Sequence, residues 1–370
     1  MRMLVGGLAV VAVLLLAGCS SAQPVGAGTA APTDDATPSA SATPTATPSD
    51  TPERARPVSL VGIGCEELVP LAELENVVGD GTVLVDPTGE QANAWSATHA
   101  SFAYAGGLYC RWSDSMGQYR AMASVTPNAT AAAEQIAAEF ETDPALEELS
   151  SWCSIDGCRA TGFVGDFHVT IAAVPEQPDG ADSAMTQLRK ATYGVLVALP
   201  PVAALPPLSA LWGDAPGSCA ELLPAEQLGI AANVDSLTYS PGYAYEDSSG
   251  SDHALLTAGG FACRYWPGDS SGNGSIRVLP DAAPALQQVQ AVAPESESVV
   301  IDGVPDGAAT VECSSNGEPA WSAGSTGVCT VHVPARGAWV TVVASGTGDV
   351  RVAIIERAQL LTAAVVAALV

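Results

Sequence analysis

The sequence predicts an α+β fold built twice in tandem, each copy a small antiparallel sheet stapled by disulfides with helices on one face. Three observations carry that prediction: an internal repeat, eight cysteines divided evenly between its halves, and β-branched runs alternating with Ala-rich runs of helical period. Cys65-Glu66-Glu67-Leu68-Val69-Pro70 recurs as Cys219-Ala220-Glu221-Leu222-Leu223-Pro224. Likewise Ala105-Gly106-Gly107-Leu108-Tyr109-Cys110-Arg111-Trp112 recurs as Ala258-Gly259-Gly260-Phe261-Ala262-Cys263-Arg264-Tyr265. The offset is 154 at Cys65 and Cys219, and 153 both at Cys110 and Cys263 and at Pro127 and Pro280, so the middle of each copy aligns without gaps. The first repeat is placed at 58–200 and the second at 208–370, joined by a Pro-rich linker at 201–207.

Each repeat opens with a short helix; in the second, Ser218 and Glu221 have capping-box spacing ahead of Leu222 and Leu223. Turn-rich sequence and a strand then lead into the second cysteine. A further strand ends at Val125-Thr126-Pro127 or Val278-Leu279-Pro280. A helix over 131–140 follows in the first repeat, with Ile136, Ala137 and Phe140 on one face. Val169 to Ala173 and Trp339 to Val343 read as buried strands. Both precede a final helix, Met185 to Leu199 and Val352 to Val370. The last is apolar enough to suggest a membrane span, but Glu356 and Arg357 interrupt it and its place in the repeat predicts a core-facing helix.

Four cysteines fall in each repeat: Cys65, Cys110, Cys153 and Cys158, then Cys219, Cys263, Cys313 and Cys329. Even counts in an exported chain predict disulfides, and each repeat permits three pairings. First with second and third with fourth is favoured, because Cys153 and Cys158 enclose a hairpin tip and Cys313 and Cys329 a longer Gly- and Ser-rich loop at the same place. Zinc binding by Cys153-x4-Cys158 would need reduced thiols and a second ligand cluster; no metal or other cofactor is expected.

Export is predicted from the N-terminus. Met1 to Met3 carries Arg2, an apolar run follows from Leu4 to Ala17, and Leu16-Ala17-Gly18-Cys19 closes it. The last four residues resemble the bacterial lipobox, which implies a signal peptide at 1–18 and a lipidated Cys19. From there to residue 57 the chain is almost wholly Ala, Thr, Pro, Ser and Gly, a composition that cannot offset its conformational entropy and reads as a disordered tether.

Composition excludes some functions. Forty acidic residues against 13 basic ones give a formal net charge of -27, a field that repels nucleic acid and anionic lipid alike. Membrane contact is therefore expected only through the anchor at Cys19. No phosphate-binding Gly loop, His-Glu-x-x-His or Ser-x-x-Lys is present. The four histidines, His99, His168, His253 and His332, read as structural or surface groups; His168 aligns with an apolar position near Val340, and His99 and His253 are not equivalent. Asp269 to Ser275 imitates the start of a calcium loop, but Pro280 stands where a bidentate Glu is required. The remaining candidates for ligand contact are Arg111 and Trp112 in the first repeat and Arg264, Tyr265 and Trp266 in the second, an Arg beside aromatic rings in an acidic chain.

The lipobox, the Thr/Pro tether, the Cys-x-x-Leu-Leu-Pro opening at Cys219 and the Cys110-Arg111-Trp112 element resemble small actinobacterial cell-envelope lipoproteins of unknown function. The second repeat departs from this pattern with Tyr265 where Trp would stand. The resemblance implies no catalytic residue. The expected function is a membrane-anchored, extracytoplasmic and non-enzymatic binding module whose partner is an envelope protein, glycan or small ligand. The alternatives are a transporter's substrate-binding lipoprotein and an envelope hydrolase with an unrecognised site.

Overall fold

The structure, a computed structural model, describes residues 59–370 except 86–96, 142, 145, 233–236, 242–249, 268–273, 293–295, 317–325 and 348–350. The predicted export signal, Cys19, the predicted tether and most of the calcium-like loop lie outside the described residues.

In chain order the first repeat contains α1 (Cys65–Leu68), α2 (Leu71–Val78), β1 (Val83–Leu84), α3 (Ala97–Tyr104), β2 (Leu108–Ser113), β3 (Tyr119–Thr126), α4 (Ala129–Glu139), β4 (Ser150–Ser154), β5 (Gly157–Val164), β6 (Phe167–Ala173) and α5 (Ala181–Val197). The second contains α6 (Cys219–Leu222), α7 (Ala225–Ala232), β7 (Leu237–Pro241), α8 (Gly250–Thr257), β8 (Phe261–Pro267), β9 (Gly274–Leu279), α9 (Ala283–Val292), β10 (Glu297–Val299), β11 (Ala309–Asn316), β12 (Thr326–Ala335), β13 (Ala338–Thr347) and α10 (Arg351–Leu369). The fold is α+β with two antiparallel sheets, ordered β1-β2-β3-β6-β5-β4 and β7-β8-β9-β13-β12-β11-β10. The orders coincide strand for strand, and β10 extends the second sheet by one.

Four disulfides join Cys65 to Cys110, Cys153 to Cys158, Cys219 to Cys263 and Cys313 to Cys329. Two of them tie the opening helices α1 and α6 to β2 and β8. The other two bridge residues directly opposite each other on paired strands. The Gly-Gly of the repeated motif ends α3 and α8. Gly106 and Gly259 adopt φ +72° and +79°, and the amides of Gly107 and Gly260 donate to the carbonyls of Phe102 and Leu255, a Schellman closure at both places.

One face of each sheet carries the core that its own helices cover. Val169, Ile171 and Ala173 of β6 pack with Leu68, Leu74, Met185 and Leu188. Val331, Val340 and Val342 pack with Leu228, Ile354, Leu361 and Val365. α10 is long and apolar enough to cross a membrane, but Ile354, Ala358, Leu361 and Val365 have no exposed surface and seal the second sheet.

The opposite faces are where the repeats meet. α8 of the second repeat lies against β3 and β6 of the first sheet and against α3 and α4. Phe102, Ala132 and Ile136 pack there with Leu255, Leu256, Leu286 and Trp339 in one shared core. Apolar side chains fill much of the space between the repeats, and a buried polar patch that includes His168 and His253 fills another part. Helices cover part of the second face of each sheet as well as the first, because α3 and α8 have buried residues on more than one side.

Candidate functional site

Beyond α8, no helix or strand among the described residues covers the part of the first sheet's second face around Arg111 and Trp152, whose side chains are partly or largely exposed. Register places one row of side chains across it: Arg111 on β2 pairs with Met122 on β3, Met122 with Ala172 on β6, Ala172 with Arg159 on β5, and Arg159 with Trp152 on β4. The first four are half-buried, and Trp152 is 46% exposed. At about 4.8 Å per strand, Arg111 and Arg159 stand roughly 14 Å apart at the backbone and Trp152 roughly 5 Å further on.

Two phenols join the guanidinium groups. A register shift between Trp112 and Ser113 admits an extra residue on β3. The ring of Tyr119 there lies 5.6 Å from the Arg111 guanidinium carbon. Burial of the Tyr119 hydroxyl, reinforced by the neighbouring Tyr109 phenol and partly offset by Arg111 and Arg159, pushes its pKa up to about 12. Burial likewise raises Tyr109, against the pull of Arg111. Both phenols therefore stay protonated at neutral pH; the Tyr109 hydroxyl donates to Met122 Sδ at 4.0 Å, and that of Tyr119 can donate to a ligand. Tyr109 stacks on Phe102 at 5.4 Å and forms one wall of a recess of about 400 Å³ lined also by Leu84, His99, Ala103, Leu108 and the Cys65–Cys110 bridge. Cations and phenol donors beside apolar rings suit an anionic group attached to an apolar or sugar-like body.

Of the residues singled out from sequence, only Arg111 belongs to this cluster. Trp112 and Tyr265 are corrections: they are 1% and 2% exposed and sit in the two cores, and the Tyr265 hydroxyl donates to the Val343 carbonyl at 2.6 Å. Period-two alternation explains it, since the residue after an outward Arg must point inward. Arg264 is exposed and shares its face with Trp266, itself 38% exposed. The row through Arg264, however, continues with Ser275, Val343, Thr330 and Glu312, so the second cation and the Trp have no counterpart there. Arg159, Trp152, Tyr119 and Met122 were missed because they lie outside the matched motif; only strand pairing brings them to Arg111.

The histidines lie between and beneath the sheets. His99 and His253 belong to α3 and α8 rather than to strands, one helical position out of register under the 153-residue offset. His253 stacks on His168 with centroids 4.1 Å apart and planes 11° apart, and Phe163 meets both edge-on. Strand pairing puts His168 at the position of Trp339. His332 shares its Nδ1 with Thr341 and with the Trp339 indole, which donates to it at 3.1 Å. Arg277 pairs with the buried Asp252 at 3.3 Å, tying α8 to its own sheet. Among the described residues no group of three or more His, Cys, Asp or Glu is placed to hold a metal.

The chain matches no family model, and neither the curated proteins nor the solved structures include one similar to it.

Proposed function

We propose that this chain is a membrane-anchored, extracytoplasmic binding module of the cell envelope, of the kind its resemblance to actinobacterial lipoproteins implies, and that it recognises its ligand without catalysing a reaction. Cys19 would carry the lipid and the tether would hold the folded repeats away from the bilayer. The observation that supports the reading best is the open row on the first sheet, where Arg111, Arg159, Tyr119 and Trp152 gather two cations and two exposed aromatic rings in a chain of net charge -27. An acidic chain of this kind repels anions everywhere except where local cations are concentrated, which makes the row its place of selective attraction. The close packing between the repeats, apolar around Phe102 and Leu255 and with the His168–His253 stack beside it, favours this face over the shared cleft that a two-lobed transport receptor uses.

Thermal unfolding of the full chain against muropeptides, envelope glycans, amino acids, peptides and divalent ions tests the proposal. A ligand at 100 times its Kd adds about 2.7 kcal/mol of stability. A shift that Arg111→Gln removes supports the reading. Turnover of any panel compound, abolished by a point substitution, refutes it.

A further inference from the structure

We infer that the open face of the first sheet takes a carboxylate-bearing saccharide chain lying across the strands, with its acid groups at Arg111 and Arg159 and a sugar ring against Trp152. The inference rests on the binding-module reading and goes further by fixing the class of ligand and the repeat that holds it.

Charge sets the sign of the ligand. Guanidinium groups fit carboxylates as planar, paired donors, and the protonated phenol of Tyr119, whose ring lies 5.6 Å from the Arg111 guanidinium carbon, adds a donor of the same polarity. A carboxylate placed among them replaces its water shell with fixed donors. Geometry sets the shape. The row crosses β2, β3, β6, β5 and β4 at right angles to the chain, so cations rooted about 14 Å apart at the backbone can be met by one extended molecule.

Chemistry separates a glycan from a peptide. An extended peptide needs partners for its own amides and carbonyls, and peptide-binding sheets supply them from an edge strand. A ligand lying across the strands meets their faces, and the backbone groups of β2, β3, β6 and β5 beneath it are already paired within the ladder. A saccharide keeps its hydroxyls in water and presents apolar C–H faces, which suit the exposed rings of Trp152 and Tyr119, 46% and 37% accessible. The second repeat serves as an internal contrast, since Ser275, Thr330 and Glu312 stand where Met122, Arg159 and Trp152 stand in the first.

Binding of the full chain to three soluble polymers tests this: polygalacturonate as a carboxylated glycan, dextran as a neutral one, and poly-glutamate as a carboxylated peptide. Polygalacturonate is expected to bind at least tenfold more tightly than either of the others. Its affinity should fall at least tenfold in Arg111→Gln and in Trp152→Ala, and change less than twofold in Arg264→Gln. Circular dichroism and melting of each variant establish that it is folded. Trp152 and Arg264 are exposed, so their substitution leaves the cores intact. Equal or tighter binding of poly-glutamate overturns the saccharide assignment, and equal binding of dextran overturns the role of charge. Loss of binding in Arg264→Gln but not in Arg111→Gln overturns the choice of repeat. If no polymer binds while a panel ligand still shifts the melting of the wild type, this inference fails and the binding-module reading stands.

Discussion

Acidification from pH 7 to pH 5 is expected to weaken the fold through its buried imidazoles, before most carboxylates begin to titrate. His99 is 8% exposed in α3, and burial lowers its pKa from 6.5 to about 4. His332, on β12 with its ring beside Trp339 and Thr341, is lowered to about 4 for the same reason. His168 is held well below the ordinary imidazole range, first by burial, then by His253 and Arg159. In each case the folded pKa lies below the unfolded one, so the unfolded chain binds more protons and stability is lost as pH falls through 6.5 toward the folded value. For His99 the difference between pH 7 and pH 5 is about 2 kcal/mol, and His332, whose residue surface is partly exposed, adds a comparable or smaller amount. Together these give roughly 3 kcal/mol, with His168 acting in the same direction. Glu139, raised by burial, opposes the trend weakly, and Asp114, held low first by the Gln118 amide, releases its contribution only at lower pH. Urea denaturation at half-unit steps, read with imidazole proton shifts of the folded chain, measures both sides of the linkage. A flat free energy between pH 7 and pH 5, or imidazole shifts that titrate near 6.5 in the folded state, would refute the reasoning.

Other perturbations follow from the same packing. Removing the Cys65–Cys110 bridge, which closes 45 residues, should cost about 4 kcal/mol and removing Cys153–Cys158, which closes 5, about 2 kcal/mol, measured by denaturation of the paired Cys→Ala variants. Gly107→Ala would place a methyl 2.2 Å from the Val125 carbonyl oxygen and is expected to cost more than about 3 kcal/mol. Gly194→Ala, exposed within α5 and with nothing near its added methyl, should stabilise by about 0.5–1 kcal/mol. Leu255→Ala in the core shared by the repeats should cost about 2–5 kcal/mol while leaving one cooperative calorimetric transition; two separated transitions in the wild type would show that the shared core does not couple the repeats.

Much of the framework is legible from local pattern. The strands at 169–173 and 339–343 are recovered within β6 and β13, and the helices at 131–140 and in both C-terminal stretches as α4, α5 and α10. These elements have one dry face or a continuous β-branched run, which leaves a periodic trace in the sequence. α3 and α8 leave none. Ala97-Thr98-His99-Ala100-Ser101-Phe102-Ala103-Tyr104 and Gly250-Ser251-Asp252-His253-Ala254-Leu255-Leu256-Thr257 mix small and polar residues around the whole circumference because sheet and helix enclose them on several sides. By sequence those stretches read as turn-rich connections, and the helices that carry His99 and His253 emerge only in the fold.

The binding face shows the same division. Arg111 stands out because it follows a repeated cysteine, and the alternation of β2 is enough to show that Trp112 must face the other way. Its companions Met122, Arg159 and Trp152 come from strands up to 48 residues away in the chain, and no spacing rule links them. The duplication and the sheet-forming segments are determined by the sequence alone, because each rests on periodicities within one repeat; the cysteine pairing is favoured there among three and is decided by the strand register that sets Cys153 opposite Cys158 and Cys313 opposite Cys329. The seal between the repeats and the row of cations and rings were decided only in the tertiary structure. Strand order and the insertion of α8 set which distant side chains become neighbours, and those choices follow from burying two sheets against each other rather than from any local preference.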